Sequence, residues 1–250
     1  MKQTMRFLLG SLAFLAWLLN GCGVHSEPVR DVEQADFHYK LANGHFYSQE
    51  IHMALRELTR SLELNADHPD ANHLMAFILY GRKEVARAER FYRHAVEIRP
   101  GFHDARANLG VLLLSQRRWR EAIQLLTPLT KATLYGTPWL VHNNLGYAYT
   151  QLGQHSKALK HYRLAVFHNP KFCLGYNNLG ALYKKLGQQD LAIDYLERAT
   201  TRCKTYAEPH FHLGEIFQHR GALKQARQAF GLCYKASPES PFGRRCRVRM

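Results

Sequence analysis

No HExxH, CxxC, Gly-rich phosphate loop or GxSxG elbow occurs in this 250-residue chain. The spacings that announce a zincin, a dithiol redox centre, a P-loop or a serine hydrolase are therefore missing. Acidic residues are scarce, 20 Asp and Glu against 34 Lys and Arg, and the formal charge is +14. Long apolar runs are absent as well. The stretch from Phe7 to Leu19 would rise only about 20 Å as a helix, against the roughly 30 Å of a bilayer core, so it is too short for a permanent span. What the chain does have is apolar content of 46%, enough for one continuous core or a stacked array, with charge spread along it rather than in blocks.

The first residues read as an export signal. Lys2 and Arg6 precede the apolar stretch, and the small pair Gly21-Cys22 closes it. The run Leu19-Asn20-Gly21-Cys22 resembles a bacterial lipobox, with residues 1–21 as signal peptide, Cys22 as the lipidated residue and 22–34 as lipidated cysteine and linker. The alternative is an ordinary secretory signal in which Cys22 is incidental. Three acyl chains at about 0.8 kcal/mol per buried CH₂ would make membrane attachment almost permanent. Gly23 stands where inner-membrane lipoproteins of this kind carry Asp, so the resemblance implies lipid anchoring at the periplasmic face of the outer membrane. Loss of Lys2 and Arg6 leaves +12. An exported protein is not expected to meet nucleic acid, which leaves anionic lipid headgroups, cell-wall polymer or an acidic protein segment as partners for that charge. Arg244, Arg245, Arg247 and Arg249 crowd residues 241–250, expected as a flexible basic tail or a frayed terminus.

A 34-residue period dominates the rest. "NNLGYAYTQLG" from Asn143 returns as "NNLGALYKKLG" from Asn177. An apolar residue followed by a small one marks each unit: Leu41-Ala42, Met75-Ala76, Leu109-Gly110, Leu145-Gly146, Leu179-Gly180 and Leu213-Gly214, spaced by 34, 34, 36, 34 and 34 residues. Twelve residues past each marker stands an alanine, from Ala54 to Ala226, and Gly153, Gly187 and Gly221 fall where two helices need a tight turn. Pro100, Pro170 and Pro238 close three units. The pattern resembles the tetratricopeptide repeat. The implied fold is all-α, a superhelical solenoid of six helix pairs over residues 35–68, 69–102, 103–138, 139–172, 173–206 and 207–240. The two extra residues of the third unit, near "TLYGTP", predict a longer loop at 133–138. Tyr149, Tyr162, Tyr183, Phe217 and Phe230 are expected to fill the core between neighbouring pairs.

A stack of helix pairs presents a concave face lined by the first helix of each unit. Tyr39, Phe46, Tyr47, His73, Phe77 and Tyr80 are expected on that face in the first two units. They form either an aromatic groove for an amphipathic helix or hydrophobic peptide, or a surface buried beneath the linker. Asn108, Asn144 and Asn178, with neighbouring Asn143 and Asn177, form a ladder that either reads a peptide backbone or serves local hydrogen bonding. With Cys22 set aside, four cysteines remain. An antiparallel pair brings Cys173, which opens the fifth unit, to the same end as Cys203, which follows its second helix. Cys233 and Cys246 would then tie the basic tail to the last helix. Fifteen histidines invite a metal reading. However, His210 and His212 point apart on a helix, and His38, His45 and His52 straddle a turn, so no metal, cofactor or catalysis is expected.

A lipidated cysteine, a short linker and six tetratricopeptide units resemble the type IV pilus biogenesis and stability lipoproteins, the pilotins. "TLYGTPWLVHNNLG", "FCLGYNNLG" and "RCKTYAEPHFHLG" look like the social-gliding lipoproteins of myxobacteria within that family. The resemblance implies a non-enzymatic factor that binds a secretin subunit through a peptide or helix and helps it assemble. The competing expectation is a general cell-envelope scaffold that recruits peptidoglycan enzymes.

Overall fold

The computed structural model describes residues 27–132 and 135–250. The signal segment, Cys22, the first part of the linker and Leu134 lie outside the described residues. Within them the chain is helical throughout and contains no strand: α1 Glu27–Tyr47, α2 Ile51–Leu64, α3 Pro69–Gly81, α4 Val85–Ile98, α5 His103–Ser115, α6 Trp119–Leu126, α7 Pro138–Gln151, α8 His155–His168, α9 Cys173–Lys185, α10 Gln189–Arg202, α11 Ala207–His219, α12 Leu223–Ala236 and α13 Pro241–Arg247. Consecutive helices from α1 to α12 pack as six antiparallel pairs.

What lets each pair close is a small residue in the first helix facing a large one sixteen positions on. A Cβ on Gly110 would lie 2.4 Å from a methyl of Leu126, and one on Gly146 would lie 2.6 Å from the Tyr162 ring. Gly180 against Leu196 and Gly214 against Phe230 repeat the contact. Ala42 and Ala76 hold the same register relative to Leu58 and Tyr92, and all six large partners are buried. Tyr162 and Phe230 thus fill the crossing within their own pair rather than the space between pairs. Tyr183 is also buried, whereas Tyr149 and Phe217 sit partly buried at the edge of the core.

The turn inside each pair needs one residue in the left-handed region. Units four to six place Gly153, Gly187 and Gly221 there, and units one to three use Gln49, Lys83 and Arg117, at φ of 62°, 64° and 60°. In every case the next amide reaches back five residues to the helix, as in Gln154 N–H to Tyr149 C=O at 2.9 Å and Glu84 N–H to Leu79 C=O at 2.9 Å, so the last carbonyls stay satisfied.

Neighbouring first helices touch along the whole array, α1 on α3 through α9 on α11, whereas the second helices make no comparable contact with one another. Elements on the inside of a bend lie closer than those outside it. The solenoid therefore curves with its first helices inward, as tetratricopeptide geometry requires.

The structure departs from the sequence expectations at three places. α1 begins at Glu27 and takes in the last eight residues of the expected linker, because Glu27-Pro28 opens a helix cleanly and nothing before Gly44 interrupts it. In the third unit the α-helix stops at Leu126 and gives way to a 3-10 turn, Thr127–Lys131, because Pro128 lacks an amide donor. Residues 241–247 form a helix rather than a flexible tail. Ser240 caps it, its Oγ accepting from Gly243 N–H at 2.9 Å, and it packs on α11 and α12.

Candidate functional site

The inner face of the solenoid changes character from one end to the other. The residue after each small marker points into it, and along the array these are Asn43, Phe77, Val111, Tyr147, Ala181 and Glu215. Phe77 is 45% exposed, and Val111 and Tyr147 are open to a similar degree. Phe46 meets Phe77 edge to face with ring centres 5.7 Å apart, Tyr47 flanks Phe46 and is 76% exposed, and Trp119 stands edge-on to Tyr147 at 5.6 Å. The result is an apolar, largely aromatic strip running across the first four units.

Beyond Tyr147 the face becomes polar. Lys184 on α9 donates to Glu215 on α11 and lies 3.3 Å from His212 Nδ1, and Arg249 reaches the other Glu215 oxygen at 3.2 Å. Burial pushes the Glu215 carboxyl up, but the hydrogen bonds from Lys184 and Arg249 outweigh it and hold the group below the usual carboxylate range.

The residues expected in the groove divide between surface and core. Tyr47 and Phe77 are exposed on the open face, and half-buried Phe46 meets both rings. Tyr39 turns toward the His68 ring, 5.1 Å away, and Tyr80 packs against the core. His73 sits 4.8 Å from the Phe102 ring and accepts a hydrogen bond from Asn108 Nδ2 at 2.9 Å. Burial lowers its pKa, consistent with a neutral ring that can accept.

Asn178 Nδ2 likewise donates to Asn143 Oδ1 at 2.8 Å, so these amides tie α5 to α3 and α9 to α7. Asn143 and Asn177 are buried. A peptide in the groove cannot reach them, and of the ladder only Asn108, Asn144 and Asn178 keep partial access. Val111, Tyr147 and Trp119 were not anticipated from the sequence, although the position after the marker already linked the first two to Phe77.

Cys173 and Cys203 form a disulfide with Cα atoms 6.2 Å apart, and Cys233 and Cys246 form a second at 6.1 Å. The second holds α13 over the end of the array, where Arg245 lies 4.0 Å from the centre of the Phe211 ring and Arg249 stacks on Phe211 and Phe230. At the opposite end no described element precedes α1. Leu41 is exposed, while the equivalent residue in each of the five units that have a predecessor is buried.

Among the described residues no three His, Cys, Asp or Glu side chains converge as metal ligands, and no helix is long and apolar enough to cross a membrane. His142, His161 and His168 do cluster: His142 and His161 are hydrogen-bonded through their Nδ1 atoms at 3.0 Å, and the rings of His142 and His168 stack.

Tetratricopeptide-repeat family models match residues 79–133, 139–172 and 175–206. The fold is a tetratricopeptide-repeat solenoid. The type IV pilus assembly protein PilF of Pseudomonas aeruginosa is 26% identical over 134 residues, which is 54% of this chain and 53% of PilF, so the match spans about half of that relative. Among solved structures, PilW, described as a widely conserved type IV pilus biogenesis factor, superposes with a TM-score of 0.75 at 20% identity over 84% of this chain and 97% of PilW. The P. aeruginosa PilF structure gives 0.73 at 20% identity over 88% and 99%.

Proposed function

We propose that this protein is a non-enzymatic type IV pilus biogenesis factor of the pilotin kind, an outer-membrane lipoprotein, anchored through Cys22, that binds the pilus secretin and helps it assemble. The observation that carries the reading is the strip formed by Tyr47, Phe77, Val111 and Tyr147 on the inner face, with half-buried Phe46 packed against Phe77, apolar side chains exposed along a surface shaped to hold another chain. Relatives named for type IV pilus assembly and biogenesis give that surface its biological setting. An amphipathic helix or hydrophobic peptide of the secretin would lay its apolar side on the strip, with polar groups toward Lys184 and Glu215. Lipid attachment raises the effective concentration of the held subunit at the membrane it must enter. On this reading, the local segments around Tyr135, Cys173 and Cys203 resemble the social-gliding lipoproteins of myxobacteria.

Deletion of the gene is expected to reduce secretin multimers and surface pili together, and normal multimers in the deletion strain would exclude this function.

A further inference from the structure

The positive charge sits in one half of the molecule. Residues 27–132 carry 15 Lys and Arg against 14 Asp and Glu, whereas residues 133–250 carry 17 against 6. α8, α12 and α13 contain no acidic residue.

On α8 the charge is organised. Ser156, Lys160, Arg163 and Phe167 recur at helical spacing, within a sector of about 60°, and all four are exposed. Phe167 is 76% exposed and Leu164 flanks it. Among the described residues no carboxylate pairs with Lys157, Lys160 or Arg163; Lys157 meets Gln154 and the Tyr149 ring, and Arg163 donates to the Tyr183 hydroxyl. By contrast the second helices of the first half neutralise much of their charge: Arg93 and Arg118 share Glu89 and Glu121, and Arg60 meets Glu63.

From this we infer that the outer face of the fourth unit, centred on Lys160, Arg163 and Phe167, is a peripheral contact for an anionic phospholipid surface. A second helix lies on the convex side, where a broad, gently curved partner fits and a narrow peptide finds no groove. Unneutralised cations beside one projecting aromatic ring match headgroup phosphates beside an acyl boundary. A field of net charge spread over half a molecule complements an extended anionic surface better than a single acidic side chain. The contact is independent of the inner groove, so the two can be lost separately.

The test is sedimentation of the full-length chain with phosphatidylcholine vesicles and with vesicles containing one-third phosphatidylglycerol, read as the difference between the two and compared among variants that share the same N-terminal segment. Anionic vesicles are expected to retain more protein, and salt to erase the difference. Lys160→Glu with Arg163→Glu is expected to cut the anionic increment at least about tenfold. Arg56→Glu with Arg90→Glu, an equal charge change on α2 and α4, should leave it within about twofold, with helicity of both variants unchanged by circular dichroism. Equal retention on neutral and anionic vesicles would overturn the assignment and point the stripe toward an acidic protein segment. So would equal loss in both double variants, which would reduce it to net charge.

Discussion

Gly146 and Tyr162 show how little freedom the crossing of a helix pair allows. With ring carbons 2.6–2.9 Å from where a Cβ would stand, Gly146→Ala must displace a buried tyrosine, and urea unfolding is expected to show a loss of about 1–3 kcal/mol. Lys83 and Arg117 offer the opposite case. Each holds a left-handed conformation that its Cβ resists, so Lys83→Gly and Arg117→Gly should each raise stability by about 0.5–1 kcal/mol, provided the strain relieved exceeds the added freedom of the unfolded chain. A titration signature resides at His142. Burial, then the neighbouring His161 and His168, push its pKa down to about 4. The unfolded chain takes up the proton near the ordinary histidine value and the folded chain does not, so stability is complete above that value and falls as the pH drops toward 4. The loss amounts to about 3 kcal/mol at most. His142→Gln should flatten the dependence of the unfolding midpoint between pH 6.5 and about 4.5; an unchanged slope would show that His142 is not its source.

The helix pairs were readable because their period is carried by steric necessities: a small residue at the crossing, a large one opposite, and a left-handed turn between. The ends of helices were less readable. The extension of α1 to Glu27 left no periodic trace, since its extra two turns or so have no counterpart in the other units. α13 looked like a charged tail because Phe242 and Cys246 alone make too short an apolar pattern to read, and arginine side chains stacked on Phe211 and Phe230 complete its packing. In the groove, aromatic content alone could not separate Tyr39, Phe46 and Tyr80, which are half-buried against the core, from Tyr47 and Phe77, which are exposed. Of the asparagine ladder, Asn108, Asn143 and Asn178 tie neighbouring first helices together. At this level the second disulfide makes its own prediction. It closes a loop of 13 residues, and Cys233→Ser with Cys246→Ser should cost about 3 kcal/mol on the loop-entropy scale and increase amide exchange in α13 before it does so in α11. Exchange that rises uniformly would contradict a local cap.

Taken whole, the molecule is a curved array with two unlike faces: an inner strip that is apolar through four units and ionic in the last two, and an outer surface whose positive charge gathers in the second half. Because Phe77 and Tyr147 project from the inner face while Tyr80 is part of the packing, Phe77→Ala with Tyr147→Ala should weaken partner capture with little change in stability, whereas Tyr80→Ala should lower stability as well. The most direct test of the account is site-specific photocrosslinking in intact cells, with the probe placed in turn at Phe77, Val111 and Tyr147 on the inner face and at Arg90 and Gln228 on the outer face. The account predicts one protein product, the secretin, from the three inner positions and none from the outer two; products from the outer positions alone would contradict it.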